Sequence, residues 1–293
     1  MLTVVLQQGI NGIVVGSLYV LVALGLTLIY GVLVQINFAH ADIVTLGAFA
    51  AYFVAHLLSG NYFAGIVAAL IVGGLLGYLI NAGIFAPLRE RGGELLPLIA
   101  TIGVSIMLQN AMLLLFGPIP YAFDTPYSNK VIRFGSLFFT TQSLLIILVS
   151  GATIALLYAF LKFTFLGKAL RAVSQDRETA ALMGINPNIL IMLTFIIASA
   201  LAGMSGALLG PVLVLTPFAG TSVIVKAFAI VIIGGFGNVE GTIIAGLIVG
   251  LIESYTTQFL DPGLIDIVVF ALLLVMLAVR PTGLIAEKRA ENV

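Results

Sequence analysis

The 293-residue chain contains no cysteine. Thiolate metal sites, cysteine nucleophiles and disulfides are therefore excluded, and the redox compartment is left open. Charge is scarce as well: only 8% of residues are Asp, Glu, Lys or Arg, against roughly 25% in an ordinary soluble domain. Twelve basic and twelve acidic residues cancel, so no positive excess points to nucleic acid as a partner. Histidine is limited to His40 and His56 on separate segments, a poor basis for a metal site. No basic run precedes the first apolar stretch, which is too long for a cleavable signal peptide, so the N-terminus is read as retained.

What fills the chain is apolar: 61% hydrophobic residues and a mean hydropathy of +1.23. Such a surface cannot be covered by water, and a lipid bilayer is the expected environment. Apolar segments near the length of about 20 residues that crosses a hydrocarbon core follow one another with little pause. They lie near residues 9–30, 40–58, 62–85, 95–116, 141–161, 188–215, 223–233, 242–257 and 264–279. The 223–233 segment is too short to span alone and reads as a half-helix ending at the glycines after it. The expected fold is an all-α polytopic membrane protein forming one transmembrane domain over 1–293, with about 8–10 transmembrane or half-membrane helices.

Sidedness follows from Lys and Arg, which favour cytoplasmic loops. Arg89 and Arg91 fall in one loop, Lys162, Lys168, Arg171 and Arg177 in another, and Arg280, Lys288 and Arg289 at the C-terminal end. If the segments alternate, all nine face the cytoplasm. The loop 117–140 then faces outward, although Lys130 and Arg133 lie in it, and the N-terminus is outside by parity. The 32 glycines include Gly9, Gly12 and Gly16, Gly73, Gly74 and Gly77, and Gly246 and Gly250 at helical spacing. Small residues let membrane helices approach closely, so these read as packing positions.

Two polar interruptions stand out. After Ile29-Tyr30-Gly31 the chain continues Gln35-Ile36-Asn37-Phe38-Ala39-His40-Ala41-Asp42, and near the other end it reads Gly234-Gly235-Phe236-Gly237-Asn238-Val239-Glu240-Gly241. Backbone breaks at membrane depth are tolerated only against protein or a water-filled cavity. Asn37 and Asn238 are candidate caps, with Asp42 and Glu240 in the first turns that follow, where the helix dipole favours an acid. The pairing suggests internal duplication with discontinuous helices around a central path. For His40, Asp42 and Glu240 two readings stand: path lining or gating, and plain helix-end capping. Of the other ionisable residues in apolar stretches, His56 belongs at the outer boundary. Lys226 and Glu253 are able to pair across the bundle, and Asp266 joins them as a residue that must avoid lipid.

The most informative segment is 166–187, LGKALRAVSQDRETAALMGINP. Leu170 and Val173 mark an apolar face, Asp176 is placed to cap a short helix over 177–183, and Gly184 to end it in the left-handed conformation. Asn186 then caps the next membrane helix, with Pro187 at its first position. A pair of short cytoplasmic helices is expected. A bare connector needs only a few residues, so an ordered loop here implies a docking partner, a membrane-surface connector being the alternative.

With these residues in place, the chain resembles the LivH-like permeases of branched-chain amino acid ABC transporters over about 9–283. The marks are Gly25-Leu26-Thr27-Leu28-Ile29-Tyr30-Gly31 followed by Ile36-Asn37-Phe38-Ala39-His40-Ala41-Asp42, then Thr101-Ile102-Gly103. In the inner loop they are Gly167, Arg171-Ala172, Asp176, Ala180 and Gly184-Ile185, and later Gly234-Gly235-Phe236-Gly237-Asn238. Ala41 departs from the family, which usually has glycine there. The resemblance implies a subunit of a bacterial or archaeal plasma (inner) membrane that performs no covalent chemistry. It implies a second, LivM-like permease, two cytoplasmic ATPase subunits that bind ATP and Mg, and an extracytoplasmic substrate-binding protein. The chain itself needs no cofactor on this reading, and no Gly-x4-Gly-Lys-Ser/Thr loop occurs in it. The family's ATPase-coupling element corresponds to 162–187, with Gly167, Arg171, Ala172, Asp176, Arg177, Ala180 and Gly184 as its residues here. Asn37, His40, Asp42, Gly234, Gly235, Gly237, Asn238 and Glu240 are the expected path or broken-helix residues. A channel or ion-coupled carrier for a small polar solute also fits broken helices and buried acids.

Overall fold

The computed structural model describes residues 1–90, 95–135 and 137–285, so Arg91, Lys288 and Arg289 lie outside the described residues. The first helix, α1 (Leu2–Leu33), is followed by α2 (His40–Leu57) and α3 (Tyr62–Ile80), which passes through a π-helical turn, Asn81–Phe85, into α4 (Ala86–Glu90). Next come α5 (Leu95–Phe116), a two-stranded antiparallel hairpin of β1 (Val131–Phe134) and β2 (Leu137–Thr140), and α6 (Thr141–Phe163). Short helices α7 (Phe165–Gln175) and α8 (Arg177–Leu182) precede α9 (Pro187–Leu209), α10 (Ala219–Gly234), α11 (Val239–Phe259) and α12 (Ile265–Val279). Among the described residues, eight helical stretches are long and apolar enough to cross a membrane, and α10 is shorter. The protein is an all-α, multi-pass membrane protein.

Several expected boundaries shift. The first helix runs past Gly31 to Leu33 because nothing before Val34 breaks its hydrogen bonding: Val34 stops it at φ 56°, with its N–H on Tyr30 O at 2.7 Å. The half-helix begins at Ala219, four residues before the apolar run at 223, because Gly220, Thr221 and Ser222 carry helix without carrying hydropathy. The span expected over 188–215 ends at Leu209, and the backbone of Leu215 instead pairs with Tyr121 of the 117–140 loop. The hairpin in that loop had no clear signal in the sequence.

Burial sorts the helices into two classes. The most apolar 18-residue windows of α1, α2 and α9 are 83%, 61% and 67% buried, whereas those of α5, α6 and α12 are 11%, 17% and 6% buried. The first three form the core, and the last three present apolar surface to lipid or to another subunit. Since lipid supplies no hydrophobic drive between helices, close packing must hold the core together. The antiparallel pair α1 and α11 shows how: a Cβ on Gly250 would sit 2.3 Å from Gly16 Cα and N. Deeper along the same pair, Thr27 and Thr242 share a hydroxyl–hydroxyl bond of 2.8 Å, a class of contact worth about 0.6 kcal/mol on average inside a membrane bundle.

The two ends of the bundle differ in charge. Arg89, Lys162, Arg171 and Arg177 gather at the end where α1 stops and α11 starts: Arg177 bonds Val32 O, Arg171 bonds Lys162 O, and Arg89 acts electrostatically on Arg177. At the opposite end Gln7 bonds the backbone of Phe138 and Gln8 bonds Gln258. The basic end is the one that Lys and Arg enrichment favours as the inner side.

Candidate functional site at the two helix breaks and the inner loop

The first break covers residues 34–39. Ala39, and not Asn37, is the residue that caps α2, and no side chain caps it there. Asn37 acts one step earlier: its Oδ1 accepts the Ala39 N–H at 3.1 Å and its carbonyl accepts the His40 N–H at 3.3 Å. Thr101 of α5 accepts the Phe38 N–H at 3.4 Å, bringing the Thr101-Ile102-Gly103 run against the break. Asn37, His40 and Asp42 are all at most 1% exposed. The His40 ring lies against α1 so closely that a Cβ on Gly25 would fall 2.7 Å from Cε1 and Nε2. Asn37 Nδ2 has no hydrogen-bond partner among the described residues, while the His40 ring faces the Val22 backbone and the Asp42 carboxyl faces Ser105 and Gln109 of α5.

The second break is tighter and fully capped. Gly235 (φ 104°) and Gly237 (φ 79°) occupy backbone regions that side chains avoid. Asn238 caps α11, accepting the Gly241 N–H at 2.8 Å, and Glu240 sits in the first turn. A Cβ on Gly241 would lie within bonding distance of the Gly234 carbonyl, so α10 and α11 touch backbone to backbone. The carbonyls freed where α10 ends are taken by the C-terminal segment: Leu284 N–H bonds Ile233 O at 2.8 Å and Ile285 N–H bonds Gly234 O at 3.3 Å. This clamp carries no motif and was not legible in the sequence. The two breaks meet through the tilted rings of Tyr30 and Phe236, 4.3 Å between centroids, and through Phe38 on Phe228 at 5.6 Å.

The inner loop folds as two short helices. Thr164 caps α7, and Gly167 lies so close to the end of α6 that a Cβ would meet Phe160 O and Leu161 O at 2.3 and 2.5 Å. Leu170, Val173 and Ala180 are buried, and Ala172 is half-buried. Asp176 Oδ1 accepts the N–H groups of Glu178 and Thr179 at 2.9 and 3.0 Å; hydrogen bonds to the Thr179 side chain and backbone hold its carboxyl below the usual carboxylate range. Gly184, at φ 82°, ends α8, with Ile185 N–H returning to Ala180 O at 3.1 Å. Asn186 caps α9 as its sequence implies.

Arg177 reaches from the inner loop into the bundle. Its Nη2 donates to Val32 O at 2.7 Å, filling one of the open carbonyls where α1 ends, a position the helix dipole favours for a cation. Burial first, and repulsion from Arg89 second, push its pKa below the ordinary arginine value, although a guanidinium does not lose its charge in a protein. Leu182 and Met183, unremarked in the sequence, are 88% and 78% exposed at the tip of the loop.

A cavity of about 350 Å³ opens between the inner ends of α1, α6, α7, α9 and α11. Its walls are apolar at Leu28, Val32, Leu161 and Ile197, and polar at Thr27, Ser174, Arg171 and Asn238. Across it Tyr158 donates to Glu240 Oε1 at 2.9 Å and accepts from Lys162 Nζ at 3.0 Å. The cavity thus joins Arg171 of the inner loop to Gly237, Asn238 and Glu240 of the second break, and leaves Asn37, His40 and Asp42 outside it. Tyr158 is the residue sequence reasoning missed, because a tyrosine near a span's end carries no distinctive pattern.

Residues 9–277 match the family model described as branched-chain amino acid transport system, permease component. The chain is 34% identical to the high-affinity branched-chain amino acid transport system permease protein LivH of Salmonella typhimurium, covering 98% of this chain and 97% of that one. It is 35% identical to BraD of Pseudomonas aeruginosa, a permease protein of the same description, with 98% of each chain covered. A probable branched-chain amino acid transport permease protein LivH of Methanocaldococcus jannaschii is 29% identical over 85% of this chain and 80% of the relative. No solved structure matches the chain at a significant level. Near-full-length identity above 30% to several permeases, on a multi-pass bundle with two juxtaposed helix breaks, places the chain in the family of branched-chain amino acid transport system permease components.

Proposed function

We propose that the chain is the membrane-spanning permease of an ABC importer for branched-chain or related hydrophobic amino acids in a bacterial or archaeal plasma (inner) membrane. It works with a second, LivM-like permease, two ATPase subunits that bind ATP and Mg, and an extracytoplasmic binding protein. The chain itself performs no covalent chemistry. The observation that carries this reading is the construction of the inner loop. Its tip leaves the adjacent Leu182 and Met183 exposed together as an apolar patch suited to a protein contact, and its root is fastened to the core by Arg177 on α1 and by Gly167 against α6.

A push on α7 and α8 from the ATPases is then transmitted along a rigid path. Arg177 carries it to the end of α1, and α1 passes it to α11 through the Gly16–Gly250 contact and the Thr27–Thr242 bond. The Lys162, Tyr158 and Glu240 chain spans the cavity that such a movement would open or close. The test is uptake by proteoliposomes holding the whole complex. Leucine accumulation should require ATP and the loaded binding protein, whereas accumulation driven by a proton or sodium gradient without ATPase subunits would replace this reading with an ion-coupled carrier.

A further inference from the structure

Two salt bridges meet within the bundle at Lys226, where α1, α10, α11 and α12 converge. Lys226 Nζ donates to Glu253 Oε1 at 3.0 Å and to the Tyr19 hydroxyl at 3.2 Å, and Tyr19 donates to the same Glu253 oxygen at 3.1 Å. Asp266 Oδ1 stands 3.9 Å from Nζ, outside hydrogen-bond range, and its side chain is 72% exposed. An ammonium has three donors, and two are used. Lys226 therefore keeps one donor open on the side of Asp266, with which it forms an ion pair at 3.9 Å and no hydrogen bond. The cluster holds two carboxylates for one ammonium, and charges at this depth are costly unless they are matched.

The side from which the cluster is reached is polar too. Thr221 and Ser222, one turn before Lys226 on α10, are exposed. They belong to a helix too short to span, of the kind that borders substrate sites in membrane carriers. Their hydroxyls donate to Phe218 O and Ala219 O within the first turn of α10, and a lipid-facing surface has no reason to place an open ammonium donor and an exposed carboxylate beside them.

We propose that this cluster is a transit site for the zwitterionic end of the amino acid: Lys226 takes the α-carboxylate, with Ser222 beside it, and Asp266 takes the α-ammonium. Glu253 and Tyr19 are positioning residues that hold Lys226 extended. The proposal rests on the importer reading and adds where the common part of every amino acid is recognised, leaving side-chain selection to other surfaces.

The experiment uses the complete complex in proteoliposomes, with leucine as the probe and with isoamylamine and 4-methylvalerate, which lack its carboxylate and its ammonium respectively, as competitors. Asp266→Asn should raise the apparent KM for delivered leucine by about ten-fold, the scale of one lost charge-assisted hydrogen bond, with the melting temperature of the purified protein unchanged. It should also weaken competition by isoamylamine and leave that by 4-methylvalerate as it was. The exchange Lys226→Glu with Glu253→Lys should regain the stability that either single change loses, because the internal pair is rebuilt, and still fail to restore uptake. Full uptake by the exchanged pair, or an unaltered KM in Asp266→Asn, would make the cluster a structural tie and overturn the proposal. Absence of ATP-driven leucine uptake by the unmodified complex would overturn the importer reading together with it.

Discussion

The two helix breaks resemble each other in sequence and are built in opposite ways. The first has no glycine: it relies on a left-handed Val34, an internal Asn37 turn and the contact of Phe38 with Thr101 of α5. The second is made of glycines, carries a regular Asn238 cap, and has its open carbonyls filled by the C-terminal segment. Only the second borders the inner cavity. The first break is tied to α5 through Thr101, whereas the second lies beside the cavity and is joined through Glu240 and Tyr158 to Lys162, where the inner loop begins. We expect the push that reaches α1 at Val32 to be passed on to the second break, and the first break to keep its packing against α5 while it is.

The contrast is open to attack at several points. The largest effect is expected from Gly241→Val, since a side chain there would overlap the Gly234 carbonyl: no monodisperse protein should be recovered, and overpacking alone costs about 1–3 kcal/mol. Arg177→Met should come next. It removes a charge-assisted bond to Val32 O, of a class worth about 1.5–3 kcal/mol, so ATPase stimulation by loaded binding protein should fall steeply while membrane insertion persists. A smaller and more telling pair is Asn37→Leu against Asn238→Ala. The cap loss at Asn238 should cost about 1 kcal/mol and change transport kinetics. Asn37→Leu should lower the melting temperature without altering ATPase coupling in the protein that survives. If the two behaved alike, the contrast between the breaks would fail.

The smallest effect concerns pH. The Asp176 carboxyl is held below its ordinary value near ~4 by the groups it caps, so its contribution to α8 is present above that value and is lost as pH falls through the lower folded one. Hydrogen exchange at the Glu178 and Thr179 amides should therefore quicken only in acid below the usual carboxylate range, and Asp176→Asn should remove that acid step.

Much of this could be read from the sequence because membranes and helix ends impose strong rules. Long apolar runs gave the spans, and Asp176, Gly184, Asn186 and Pro187 gave the inner loop almost residue by residue, since capping is local chemistry. Lys226 and Glu253 do pair, as charges at that depth require. What the sequence did not reveal depends on contacts distant along the chain. Arg177 reaching Val32, Leu284 closing the end of α10, Tyr158 bridging Lys162 and Glu240, and Asp266 standing beside Lys226 all join segments whose spacing carries no periodic signal. Asn37 was misplaced by two residues as a cap because an Asx turn and an N-cap share the same residue preference.

The link from the inner loop to an ATPase can be tested directly because the chain has no native cysteine. A single Leu182→Cys variant, assembled with both ATPase subunits, should be shielded from a membrane-impermeant maleimide. Joined to a cysteine on the ATPase surface by a short cross-linker, it should block leucine uptake until the cross-link is reduced. Equal labelling of Leu182→Cys in the isolated permease and in the assembled complex would contradict the proposed coupling, because the exposed tip of α8 would then be touching nothing.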